Sequence, residues 1–339
     1  MKNSQQYTRN DIVCLTQNTE LSDLQDLSTR ERRRWCKDDI FLRAIIEFSN
    51  YCQRNCCYCG LRKDNTKVSR YRMSPDEIVE AAVFADHLGY KTIVLQSGED
   101  SAYTIDDLCS MVRKIKEKVD CVITLSLGER SRADYARLKQ AGAERYLLKF
   151  ETSDVVLFKK LKPDSSYRNR LQCLQDLREL GYQTGSGMMV GLPGQTEQIL
   201  IEDIELLQKL DLDMIGIGPF IAHPDTPLAN FENGSLDKTL RVIAAVRIVT
   251  GNTHLPATTA IATINSQGRQ QALLYGANVI MFNLTPLQYR AKYEIYPNKI
   301  CVDENPIECA ACVEEIVASV GRKINRGYGN SLKIAGSSF

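Results

Sequence analysis

Six of the twelve cysteines fall into two tight groups, and a seventh, Cys57, lies inside the first. The first group, Cys52, Cys56 and Cys59, has the spacing C-x3-C-x2-C. Three thiolates on one short loop can hold three irons of a [4Fe–4S] cubane and leave the fourth iron open to a small molecule. A closed structural zinc site needs four ligands, which this loop supplies only if Cys57 bends back. The second group, Cys301, Cys309 and Cys312, reads C-x7-C-x2-C, and three ligands there suffice for a labile cluster. The five scattered cysteines (Cys14, Cys36, Cys109, Cys121, Cys173) read as small buried hydrophobes.

Two periods alternate from residue 41 onward. Apolar runs that read as buried strands are Phe41–Phe48, Thr92–Gln96, Cys121–Ser126, Arg145–Phe150 and Thr184–Val190, followed by Met214–Ile217, Pro256–Ile261 and Val279–Met281. Amphipathic stretches separate them. They cover 105–117, 131–140, 167–180, 197–209, 236–249, 267–275 and 308–320, after a first helix that opens on the capping box Ser74-Pro75-Asp76-Glu77. Eight such units in this order predict an α/β fold, a (βα)8 TIM-type barrel. An N-terminal helical cap (1–40, with a helix near 20–36) precedes the barrel (41–300), and a cysteine-containing extension (301–339) follows, its tail after Arg322 loosely ordered. In such a barrel the loops after the strands share one face. The cysteine loop follows strand 1, Gln96-Ser97-Gly98-Glu99-Asp100 follows strand 2 and Ser126-Leu127-Gly128-Glu129 follows strand 3. Glu151 closes strand 4, Thr258 and Thr259 lie in strand 7, and Met281 ends strand 8.

The 43 Lys+Arg balance 42 Asp+Glu over 339 residues, giving a net charge of +1. That argues against nucleic acid as the main partner, because no basic excess is present to release counterions. No apolar run is long enough to span a bilayer, and the polar N-terminus has no apolar signal core, so the expected location is cytoplasmic and no membrane partner is expected.

The cysteine loop, with Tyr58 before its last cysteine, resembles that of radical S-adenosylmethionine (SAM) enzymes. A closer resemblance, to the HydE family of [FeFe]-hydrogenase maturases, is carried by Cys59-Gly60-Leu61-Arg62, Arg70-Tyr71-Arg72-Met73, TIVLQSGED (92–100), GLPGQT (191–196), GIGPFIAHPDTPLAN (216–230), LPATTA (255–260) and YPNKICV (296–302). It spans roughly residues 40–312. The resemblance implies that Cys52, Cys56 and Cys59 hold the [4Fe–4S] cluster and that Gln96, Ser97, Ser126, Glu151 and Arg170 contact SAM. Thr258, Thr259, Met281, Tyr293 and Tyr296 would line the substrate end, and Cys301, Cys309 and Cys312 would carry an auxiliary cluster, [2Fe–2S] or [4Fe–4S], that some members have. It further implies reductive cleavage of SAM to a 5′-deoxyadenosyl radical. The radical would act on a cysteine-ligated iron carbonyl–cyanide precursor, a small organometallic substrate. The expected partners are a reductant protein, a tyrosine-cleaving radical SAM maturase and a scaffold GTPase.

Two departures from the family form stand out. Lys149-Phe150 stands where an Arg-His pair is expected before the glutamate, and Phe282 where proline is expected. His223, in AHPDTP, reads as a loop-structuring residue rather than a ligand. The competing readings are a radical SAM enzyme of the biotin synthase and methylornithine synthase group acting on an organic substrate, and a non-catalytic iron–sulfur carrier.

Overall fold

The computed structural model describes residues 6–304 and 306–333. In chain order the elements are α1 (Arg9–Val13), a π-helical turn (Cys14–Asn18), α2 (Leu21–Cys36), β1 (Asp39–Ser49), α3 (Pro75–His87), β2 (Thr92–Ser97), α4 (Ile105–Lys118), β3 (Val122–Ser126), α5 (Arg132–Ala141), β4 (Arg145–Leu147), α6 (Val155–Leu161) and α7 (Tyr167–Glu179). They continue with β5 (Gln183–Val190), α8 (Glu197–Leu210), β6 (Met214–Pro219), α9 (Leu236–Thr250), β7 (Pro256–Ala257), α10 (Thr259–Ile264), α11 (Gly268–Leu274), β8 (Val279–Asn283), α12 (Leu287–Arg290), α13 (Pro306–Ser319) and β9 (Lys323–Asn325).

The strands pair in parallel in the order β6-β5-β4-β3-β2-β1-β8-β7. A single parallel bridge, Met214 to His254, joins the seam between β6 and the segment leading into β7. This is the nearly closed TIM-type barrel that the alternating periods predict. Local chemistry starts its helices where the strands end. Ser74 and Glu77 form the capping box of α3, and Thr104 and Asp107 form that of α4. Ser131, Ser166, Thr196 and Ser235 each accept a backbone N–H at the first turn of the next helices. Each such cap satisfies a donor that the helix itself cannot.

Three expectations need correction. The run Pro256–Ile261 is not one strand: the ladder ends at Ala257, and Thr258 is the N-cap of α10. Thr258 and Thr259 therefore present themselves from a helix N-terminus rather than from strand 7. The regular strand in the run Arg145–Phe150 ends at Leu147; the chain then meets β5 again through a single parallel bridge, Glu151 to Met188, with Glu151 at φ 70°. The tail after Arg322 is ordered over 323–333, and 334–339 lie outside the described residues: β9 pairs with the start of β1, and Arg145 donates to Tyr328 O (2.7 Å) and to Asn330 Oδ1 (3.0 Å). The buried Ser331 donates its N–H to Gln183 Oε1 (2.9 Å) at the start of β5, the end of the strands opposite the cysteine loop. Among the described residues no helix is long and apolar enough to cross a membrane.

Candidate active site

The cysteine loop leaves β1 at Ser49 and is gripped from several sides. Gln53 N donates to Glu99 O (3.0 Å) and Gly60 N to Ile295 O (2.9 Å). Two close approaches require glycine. A Cβ on Gly98 would stand 2.1 Å from Tyr51 O, and one on Gly60 would stand 2.2 Å from Glu294 O. Asp164 holds the loop from the α6–α7 connection, its carboxylate accepting from Asn55 N and its carbonyl from Arg54 (both 2.8 Å).

Within the loop the thiols divide. Cys52 Sγ accepts from Glu99 N (3.4 Å) and Arg54 N (3.5 Å), and Cys56 Sγ accepts from the Lys162 ammonium (3.2 Å). Cys56 and Cys59 open onto the barrel cavity. Cys57 turns away and donates to Lys160 O (3.3 Å), so it does not complete a four-cysteine set. Burial, reinforced by Cys56 and Cys52, pushes the Cys59 thiol up to about 12. The three thiols are thus electrostatic neighbours whose protons a metal would displace. Among the described residues no three His, Cys, Asp or Glu side chains converge as a single-ion site. A cubane asks something else, one thiolate at each of three separate corners.

The cavity inside the barrel mouth measures about 390 Å³. Gln96, Glu151, Thr258, Thr259, Met281 and Tyr296 all line it. Arg43 and Glu47 of β1, Lys149 and Lys299 line it as well. Glu151 Oε2 lies 3.0 Å from the Lys149 ammonium, and Oε1 accepts from Tyr58 Oη at 3.4 Å. Burial pushes the Glu151 carboxyl up, but Lys149, Lys162 and Arg170 together hold it below its ordinary value. Glu47 and Lys299 form a buried pair at 2.5 Å. Four expected residues stand off the wall. Ser126 pairs with Gln96 across the β2–β3 ladder, and Ser97 donates to Gly98 O (2.7 Å). Tyr293 is buried with Lys299 over its ring at 5.0 Å.

Arg170 is the fourth. Its charge-rich helix suggests a surface cation, yet it is only 3% exposed. Its Nε lies 2.9 Å from Glu129 Oε1, misaligned for a hydrogen bond, and Nη2 also has no hydrogen-bond partner. Glu129 in turn pairs with Arg54 at 3.3 Å, tying Arg170 to the cysteine loop. A buried guanidinium with donors to spare near the cavity suits a carboxylate ligand. The donor set therefore fits an iron–sulfur cubane with an amino acid-bearing cofactor at its open corner.

His223 is loop-structuring: Nδ1 accepts from Asp225 N (3.1 Å), and its carbonyl accepts from Thr226. Phe282 faces away from the lumen and stacks on Tyr90 with ring centroids 5.2 Å apart. In the second group the interaction with Cys309, with Arg269 (Nη1 3.7 Å from Cys301 Sγ) opposing burial, pulls the Cys301 thiol down to about 6. The same interaction, with burial, pushes Cys309 up, and burial with the charge of Cys301 pushes Cys312 up.

The motif reading missed Arg43, Glu47, Arg54, Lys162 and Lys299. The first two carried a signal, because Arg43, Ile45 and Glu47 alternate along β1 and alternate residues share a face. Nothing local marks Lys162, which meets Cys56 across 106 positions.

A barrel of this topology with its cysteine loop at the strand C-termini defines a radical SAM enzyme, and the Radical SAM superfamily profile matches residues 46–207. The chain is 52% identical over 308 residues to the [FeFe] hydrogenase maturase subunit HydE of Thermotoga maritima, covering 91% of this chain and 88% of that one. It belongs to the HydE family of hydrogenase maturases. It is 28% identical over 271 residues to 3-methylornithine synthase of Methanosarcina acetivorans (79% and 76% of the two chains). The crystal structure of methylornithine synthase (PylB) superposes with a TM-score of 0.84 over 95% of both chains at 23% identity, a likeness of fold.

Proposed function

We propose that this maturase uses a [4Fe–4S] cluster on Cys52, Cys56 and Cys59, with SAM at its open corner, on a cysteine-ligated iron carbonyl–cyanide precursor of the hydrogenase cofactor. One observation carries the reading: Cys56 and Cys59 open onto the same cavity as Glu151, Thr258, Met281 and Tyr296, so a cofactor at the cysteines faces a substrate in the lumen. When bound, the cluster and SAM supply one-electron cleavage of the sulfonium and with it a 5′-deoxyadenosyl radical.

The chain's own part is to bind, orient and exclude water. Arg170, steadied by Glu129, holds the methionyl carboxylate, and Glu151 accepts from the cofactor's amine or hydroxyl groups. Gln96, Ser97 and Ser126, at adjacent strand ends, offer further polar contacts. Thr258, Thr259, Met281 and Tyr296 shape the substrate end, with Tyr293 behind them. Met281 supplies an adaptable thioether wall, and Tyr296 an apolar face with a polar tip. An auxiliary cluster on Cys301, Cys309 and Cys312 is supported by their spacing and by the mutual influence of the three thiols. The domain division 1–40, 41–300 and 301–339, a reductant protein, the tyrosine-cleaving maturase and the scaffold GTPase as partners, and a cytoplasmic setting belong to the same proposal.

The test has two arms. Anaerobically reconstituted protein is expected to cleave SAM to 5′-deoxyadenosine, and Cys56→Ala is expected to abolish this. The gene is expected to restore hydrogenase activity in a host lacking this maturase. Cleavage without restoration would favour the organic-substrate enzyme, and full cluster loading without cleavage would leave only the carrier.

A further inference from the structure

The ammonium of Lys162 has no part in the reading above, although it is among the best-held cations at the site. Lys162 is only 6% exposed and follows α6 as its C-cap. Its Nζ donates to Cys56 Sγ at 3.2 Å and to Tyr58 Oη at 3.4 Å, while Tyr58 Oη in turn reaches Glu151 at 3.4 Å. The segment that carries it is fastened to the cysteine loop on either side. Cys57 N donates to Leu161 O (2.8 Å), Cys57 Sγ to Lys160 O (3.3 Å), and Asn55 N to the Asp164 carboxylate (2.8 Å). Lys162 N also closes the last turn of α6 on Phe158 O (2.8 Å). The side chain thus delivers a positive charge to one sulfur from a fixed backbone.

We propose that Lys162 is a positioning residue for electron entry: its hydrogen bond to the Cys56 sulfur raises the reduction potential of the cluster on Cys52, Cys56 and Cys59. The inference rests on that cluster assignment. Reduction takes one electron from a low-potential one-electron donor and adds one negative charge to the cluster, with no bond made or broken. A fixed cation in a partly dehydrated pocket interacts more strongly with the more negative state. Hydrogen bonds to cluster sulfurs and local charge are among the factors that set such potentials. A hydrogen bond to a charged group is worth roughly ten- to a hundredfold in an equilibrium constant. Only the difference between the two redox states counts here, so the expected effect is about tenfold in the reduction equilibrium, about 59 mV for a one-electron couple.

The experiment is a potentiometric titration, with dithionite as reductant, of anaerobically reconstituted full-length protein, followed by electron paramagnetic resonance of the reduced cluster. Iron content is measured in parallel. Lys162→Met is expected to lower the midpoint by the stated amount at unchanged iron content. Lys162→Gln, which keeps a neutral donor, is expected to fall between, and Lys162→Arg to stay near the native value. A native-like midpoint in the loaded Met variant overturns the proposal. So does failure of both neutral variants to load, since the residue would then serve assembly rather than potential. If the unsubstituted chain forms no cluster at all, the cluster assignment falls and takes the proposal with it. An unmoved midpoint in a loaded variant defeats this proposal alone.

Discussion

Asp203 on α8 supports the turn that follows Glu151, and its protonation should be visible in the stability of the chain. Its carboxylate accepts from Ser153 N, from Thr152 Oγ1 (3.3 Å) and from Gln195 Nε2 (3.0 Å), with none of its surface exposed. Burial outweighs these bonds and pushes its acid up to about 6. An unfolded aspartate titrates near 3.9, so the shift of about two units corresponds to about 3 kcal/mol. The sign follows from proton counting. Between the two values the folded chain binds more proton than the unfolded one, so stability falls as pH rises through this window. Asp203→Asn removes that titration. Its amide oxygen can keep Ser153 and Thr152, but its Nδ2 would face Gln195 Nε2, itself held by Met189 O (2.9 Å). A donor left facing a donor costs about 1–3 kcal/mol at every pH, so the absolute stability of the variant is a poor test. The difference in slope is a clean one. Integrated from about pH 4.5 to 7.5, native minus variant stability should fall by about 2 kcal/mol in urea unfolding of the cluster-free chain. Parallel stability curves would show that Asp203 titrates normally and that its burial is compensated.

Two further outcomes follow from the site. Arg170→Met is expected to weaken equilibrium binding of SAM to cluster-loaded protein by roughly ten- to a hundredfold, the worth of a charge-assisted hydrogen bond. A change under about threefold would remove Arg170 from the carboxylate role, since that loss is below what one such bond supplies. Cys309→Ala is expected to lower iron per chain while sparing SAM cleavage; loss of cleavage with the first cluster intact would make the second cysteine group essential.

The barrel is legible because strand and helix periods differ and because polar caps mark the helix starts. The failures have identifiable physical causes. Pro256–Ile261 reads as one strand because Ala, Thr and Ile are compatible with both periods. Only the N-cap geometry of Thr258 separates β7 from α10. α6, VVLFKKL, is seven residues long with two β-branched residues at its start, too short and too poor in propensity to announce itself. Arg170 was readable. Arg170, Cys173, Leu174 and Leu177 recur at helical spacing and are the buried residues of α7, so periodicity outranks charge density there. The grip of residues 160–164 on the cysteine loop is a tertiary fact with no local pattern behind it.

The two departures from the family form are unequal. Phe282 points out of the barrel onto Tyr90, where a ring replaces the expected proline without touching the lumen. Lys149 lies on the cavity wall, with its ammonium 3.0 Å from Glu151 Oε2. An arginine there could fork, one arm on the glutamate and another toward a ligand, whereas an ammonium is a point charge without that planar geometry. Lys149 therefore settles the Glu151 carboxylate but cannot present a second, parallel pair of donors to the cavity. Of the departures, position 149 is therefore the one placed to affect substrate handling. Exchange of Lys149 for arginine is the substitution that would restore bidentate recognition, and exchange at Phe282 should leave it untouched.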